Sequence, residues 1–177
     1  RDYAVAREHF GWSRTLRAPS VQMAVNFADS AGAPVLDLVF DTSAHGTHVA
    51  GIAAGHNIYG VAGFDGVAPG ARLLGIKIAN DAQGGITTTR SMVRALDHAI
   101  RFAEERRLPL VVNISFGVGN EAEGAARIDA VMDSILAAHP GVVVTVSAAN
   151  DGPGLSTLGF PGSAGRILSV GAASPKV

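Results

Sequence analysis

Cysteine is absent from this chain of 177 residues, which excludes disulfides, thiolate nucleophiles and cysteine-ligated metals. The absence assigns no compartment. No apolar run approaches the roughly 18 residues of a membrane-spanning helix. Neither sign of charge prevails: 14 basic and 15 acidic residues give a net charge of −1. Nothing in that balance points to nucleic acid or an anionic membrane as a partner. Internal repeats and low-complexity linkers are also missing. The chain opens at Arg1 with neither methionine nor signal peptide and stops at Val177 just after a strand-like run, so both ends read as cuts in a longer protein. What is present is a composition of 47% hydrophobic and 16% charged residues, which excludes a disordered chain. The length suffices for one domain with a sizeable core.

Residues 1–20 are mixed and weakly periodic. Val21 to Phe27 alternates as a strand does, Ala28 to Gly32 reads as a turn, and Val35 to Phe40 as the returning strand of a hairpin. A short helix ending near Gly55 follows, then a glycine-rich loop over 56–70 and a short apolar strand from Leu73 to Ile78. Thr87, Thr88 and Thr89 offer caps for a helix in which Met92, Val93, Leu96, Ile100 and Ala103 recur at helical spacing. Leu108 to Phe116 reads as a strand and 121–138 as a second long helix, stopped by Pro140-Gly141. Val142 to Val146 and Ile167 to Ala172 complete the set. Strands alternating with helices predict an α/β fold with a mainly parallel sheet covered on both faces.

The short helix carries the most specific signal, Ser43-Ala44-His45-Gly46-Thr47-His48-Val49-Ala50-Gly51. His45 stands at the helix start, where the positive end of the helix dipole disfavours an imidazolium. An imidazole held there suits a general base. Gly46 lets another backbone or a substrate come close. His48 is expected to pack or hydrogen-bond within the helix. His-x-x-His lacks the spacing and the glutamate of a zinc-peptidase helix, so no metal site is expected. His9, His56, His98 and His139 have nothing around them to mark a site.

In parallel sheets, ligands bind beyond the carboxyl ends of the strands. Two strands end there in small, polar residues: Asn113-Ile114-Ser115-Phe116-Gly117 and Ser147-Ala148-Ala149-Asn150-Asp151-Gly152. A neutral histidine, an asparagine on a tight turn and a polar strand edge together suit acyl transfer, with the amide donating to the oxyanion. Another class also has a foothold. Gly117-Val118-Gly119-Asn120-Glu121-Ala122 fits a dinucleotide-binding fingerprint between a strand and a helix. Glu121 and Glu123 would then place negative charge where a pyrophosphate must sit, and the histidine segment would stay unexplained.

These blocks, in this order, resemble the subtilisin-like serine peptidases over roughly residues 36–177. His45-Gly46-Thr47-His48-Val49-Ala50-Gly51 matches their histidine motif, and Gly66-Val67-Ala68-Pro69-Gly70 the segment that follows it. Phe160-Pro161-Gly162 and Ile167 to Ala172 fit as well. The resemblance implies a three-layer fold with helices on both faces of the sheet, incomplete in this chain. It implies a serine endopeptidase in which His45 is the triad base and Asn150 the oxyanion donor. Ser115, Phe116 and Gly117 would bind substrate backbone and border the primary pocket, with Gly85 on the substrate's other side. Phe116 hints at an apolar pocket wall. The partner is a peptide or protein, and no cofactor is required. Structural calcium is common in the family, yet no acidic cluster here matches a site.

Residues 1–35 are then the end of an insertion or hairpin, and 36–177 the central part of the peptidase domain. Arg1 to Phe40 and Gly152 to Thr157 point to the tripeptidyl-peptidase II-like branch. The chain departs from that branch at Thr87 and Val118, where the branch carries glutamates that hold a substrate's free N-terminus. Ala149 stands where the family has glycine. The triad aspartate motif is missing, Asp29-Ser30-Ala31 being only a partial match, and so is the motif of the nucleophilic serine. Both are expected outside this chain. Without them, a catalytically inactive module used for binding is the alternative reading.

Overall fold

The computed structural model describes residues 9–10, 21–30, 33–41, 43–80, 87–119 and 122–173. They fall into two compact units, residues 1–73 with 79–86, and residues 74–78 with 87–177. In the first unit, β1 (His9–Phe10), β2 (Val21–Ser30) and β3 (Ala33–Phe40) form an antiparallel sheet in that order. The expected hairpin is there, with β2 and β3 in register from Met23↔Phe40 to Ser30↔Ala33. Residues 28–30, read as part of the turn, continue the ladder instead. Pairing across the hairpin outweighs the turn preference of Asp29 and Ser30.

Helix α1 (His45–Ala54) follows in the same unit. Its last carbonyls would be left without partners by the helix itself. The segment 66–68 supplies them. Gly66, Val67 and Ala68 donate their backbone N–H groups to the carbonyls of Gly55, Ile52 and Ala53 at 2.8, 2.9 and 2.8 Å. Between the two strands of this clasp the chain closes a tight loop. Asp65 Oδ1 accepts from Asn57 N at 2.6 Å and lies 3.2 Å from His56 Nδ1. Gly63 N donates to Asn57 Oδ1 at 3.1 Å.

In the second unit, α2 (Thr89–Arg106) precedes β4 (Leu110–Ile114), α3 (Arg127–Ala138), β5 (Val142–Ser147) and β6 (Leu168–Val170). Of the three threonines, Thr88 is the cap, its hydroxyl accepting from Ser91 N at 3.1 Å. The strands lie in the order β4-β5-β6, all parallel, with Leu110↔Val142 to Ile114↔Val146 and Thr145↔Leu168 to Ser147↔Val170 in register. Met92, Leu96 and Ile100 of α2 and Ile128, Met132 and Leu136 of α3 recur every four residues and meet Val144 and Val146 of β5 in one buried cluster. Alternation along β4 and β5 leaves Val111 and Val143 on the opposite face, 69% and 43% exposed. A central α/β sheet with parallel strands and packed helices is therefore the architecture of this unit.

β4 and β6 are shorter than expected, and two further elements depart more widely. Leu73 to Ile78 forms no strand among the described residues. A strand is a property of a pair, and among the described residues no strand pairs with this run. Helix α3 begins at Arg127, six residues later than its periodicity suggests. Gly124 has φ +72°, and Ala125 N bonds Ala122 O in a turn that delays the helix. Among the described residues no helix is long and apolar enough to cross a membrane.

Candidate active site

His45 is the first residue of α1 and is exposed. Its backbone N donates to Ser43 Oγ at 3.1 Å, so Ser43 anchors the helix start one residue before the N-cap Ala44, which offers no side-chain cap. His48, expected to pack or hydrogen-bond within the helix, is exposed as well, and its backbone N donates to Ala44 O at 2.9 Å. His56 and His139 are tied to Asp65 and Glu104 at 3.2 and 3.0 Å, which gives both a structural use.

The second unit brings the two polar strand ends together. At the end of β4, Asn113 Nδ2 donates to Ser115 Oγ at 2.9 Å, while Thr145 Oγ1 on the neighbouring strand donates to Asn113 Oδ1 at 3.2 Å. The polar groups that a buried strand would not tolerate thus satisfy one another along the carboxyl edge of the sheet. Ser115 is exposed, and Phe116 is half-buried with its ring packed against the core cluster. That packing anchors the edge and commits the ring to the core.

Beyond β5, the turn 147–150 is held from three directions. Ala148 N donates to Val170 O at 2.9 Å, Gly159 N to Ala148 O at 3.4 Å, and Ala149 N to Ser147 Oγ at 3.2 Å. Ala149 sits in the left-handed region with φ +70°, a conformation that glycine adopts without the steric cost of a Cβ. The family's glycine at this position has that physical reason. Asn150 follows, exposed, with its side-chain amide committed to no partner among the described residues.

Gly117 faces this turn. A Cβ built on Gly117 would lie 2.8 Å from Cβ and 3.2 Å from Cα of Ala149. Its glycine is required by the close approach of two backbones rather than by a phosphate. Val118 and Phe160 lock the approach, with Val118 N to Phe160 O at 3.3 Å and Phe160 N to Val118 O at 3.0 Å. Thr87 Oγ1 donates to Ile78 O at 2.9 Å. Neither Thr87 nor Val118 brings a negative charge. Gly85 lies outside the described residues. His45 belongs to the first unit, and Ser115, Phe116, Gly117 and Asn150 belong to the second.

Two acids of α3 escaped the sequence reading. Asp133 accepts from Gly165 N and Arg166 N at 3.1 and 2.7 Å, and Asp129, 1% exposed, accepts from Ser163 Oγ at 2.8 Å. Together they clamp the turn 163–166 that leads into β6. The one signal was an aspartate pair at i, i+4, which also describes an ordinary solvated face. Among the described residues no three acidic or histidine side chains cluster as metal ligands would.

An α/β unit with a polar carboxyl edge and an asparagine turn is the frame of a subtilisin-like peptidase. The subtilase family model (Peptidase S8) matches residues 1–176, and this chain belongs to that family of serine proteases. Tripeptidyl-peptidase 2 of Drosophila melanogaster is 32% identical over 167 residues, 91% of this chain and 11% of that protein. Subtilisin of Bacillus sp. (strain TA39) is 33% identical over 142 residues, 77% of this chain and 31% of that protein. Among solved structures, the crystal structure of tripeptidyl peptidase 2 superposes with a TM-score of 0.72 at 32% identity, over 88% of this chain and 13% of that one. Sphericase superposes with a TM-score of 0.61 at 26% identity, over 80% of this chain and 43% of that one. The chain spans about a tenth of the length of the tripeptidyl-peptidase 2 relatives it matches. Family membership displaces the dinucleotide-binding reading of Gly117 to Ala122, as the contact of Gly117 with Ala149 already suggests.

Proposed function

We propose that this chain is the central part of a serine endopeptidase that works through an Asp-His-Ser triad, of which it carries the histidine, His45, and the oxyanion donor, Asn150. The observation that carries the reading is the asparagine turn. Asn150 presents an amide with no partner among the described residues at the carboxyl edge of the parallel sheet, beside the end of β4, on a turn held by three hydrogen bonds. A donor fixed in advance loses nothing to reorganisation when charge develops, which is where such groups earn their catalytic effect.

In the reaction, His45 takes the proton of a serine hydroxyl while the serine oxygen bonds the scissile carbonyl carbon. The carbonyl oxygen becomes an oxyanion facing the Asn150 amide. As the C–N bond breaks, the His45 imidazolium passes its proton to the leaving amine, and water then repeats the cycle to release the acid. Ser115, Phe116 and Gly117 pair with the extended substrate by strand addition, and Gly85 flanks it opposite. Serine and aspartate come from other parts of the longer protein, residues 1–35 forming the end of an insertion or hairpin before the peptidase segment 36–177. The chemistry uses no metal or organic cofactor, and the substrate is a peptide or protein.

The relatives named tripeptidyl-peptidase 2 raise the narrower alternative of tripeptide release. Thr87, bonded to the Ile78 carbonyl, and Val118, bridged to Phe160, offer no carboxylate to a substrate ammonium, and this supports internal cleavage. The test is a serine-directed fluorophosphonate probe on the full-length protein, with cleavage products read by mass spectrometry. Labelling with products of varied length supports the proposal. Absence of labelling, together with peptide hydrolysis unchanged by His45→Ala, overturns it. The 177-residue chain alone should hydrolyse no peptide, and His45-dependent cleavage by it would contradict the division of the triad.

A further inference from the structure

Gly117 and Gly159 both point their missing side chains at Ala149. A Cβ built on either would fall 2.8 Å from the Ala149 Cβ, closer than real side chains approach. Gly159 is also confined by Val118, whose O and N lie 2.9 and 3.1 Å from that position. The volume vacated by two glycines is therefore occupied by one methyl group. That methyl is held in place at a conformational disadvantage, since Ala149 has φ +70° and glycine would make the same turn unstrained. The surrounding backbones have little freedom to withdraw, because the Val118–Phe160 pair and the Gly159–Ala148 bond join all three segments.

We propose that the Ala149 methyl is the size limit of the primary specificity pocket and restricts the residue before the scissile bond to small side chains, such as glycine, alanine and serine. The inference rests on the peptidase reading above. A substrate backbone that runs along Ser115 to Gly117 and places its carbonyl at Asn150 must send that side chain between the 115–117 and 148–150 segments. Those segments meet at the Ala149 methyl. A single methyl group in an apolar pocket discriminates roughly 10–200-fold between substrates.

The experiment uses the full-length protein and peptide substrates that differ only at the residue before the scissile bond, Ala against Leu. The unsubstituted protein should prefer Ala. Ala149→Gly should raise the ratio of kcat/KM for Leu over Ala by about 10-fold or more. The substitution removes a strained Cβ, so the protein should fold, and an unchanged or raised Tm checks that. An Ala149→Gly protein that cleaves with an unchanged ratio overturns this inference and leaves the peptidase reading intact. An unsubstituted protein that prefers Leu does the same. A protein that cleaves neither substrate and takes no fluorophosphonate overturns both.

Discussion

A side chain on Gly66 would begin 2.6 Å from the carbonyl oxygen of Gly51. This contact ties the segment after the loop to the end of the helix that His45 begins. Gly66 and the two residues after it satisfy three carbonyls at that end, and the same Cβ would also meet Gly55 N and Ile52 O at 2.7 Å. Gly66→Ala should therefore loosen α1, at a cost of about 1–3 kcal/mol, the range for overpacking. Hydrogen exchange by mass spectrometry on the full-length protein should show faster exchange in peptides covering residues 52–55 and 66–68. Unchanged protection there would refute the clasp.

His45→Ala should abolish turnover by a factor of at least about 10²–10⁴, the range for a general acid–base group. Because the side chain is exposed and its backbone N makes the bond to Ser43, the melting temperature should hold. Steady-state kinetics and a thermal melt separate the two effects.

Asn150→Ala should lower kcat by about 10²–10³-fold, the size known for a subtilisin's oxyanion asparagine. KM should change little, because the amide acts on charge that develops only in the transition state. A change confined to KM would assign Asn150 to ground-state binding instead.

Asp133→Ala removes the acceptor shared by Gly165 N and Arg166 N. Stability should fall by about 1–3 kcal/mol, as when donors lose a charged partner. Exchange of the amides over 163–166 should accelerate, and that local signature distinguishes the clamp from a general loss of helix content.

Arg107 closes α2 with φ +54°, and its backbone N bonds Glu104 O at 3.0 Å. The position after a helix favours glycine for this reason. Arg107→Gly should leave activity unchanged and raise stability by up to about 1 kcal/mol, read as a higher Tm.

Much of the fold was legible because it depends on short-range physics. Thr88 as a cap, the repeat of Met92, Leu96 and Ile100, and the apolar run that makes β5 a strand all follow from neighbours within a turn or two. The histidine helix and the asparagine turn were legible for the same reason, since each is one continuous segment. Leu73 to Ile78 misled because a strand exists only in its pairing. Asp129 and Asp133 were silent because their partners lie more than thirty residues away along the chain.

The sequence by itself therefore determined the long helices, the hairpin, the strands of the parallel sheet, the family and the candidates His45 and Asn150, through local period, capping and motif. Tertiary structure alone decided why Gly66, Gly117 and Gly159 must be glycine and where the methyl of Ala149 stands. Close approach between distant backbones is set by packing, and no local pattern in the chain encodes it.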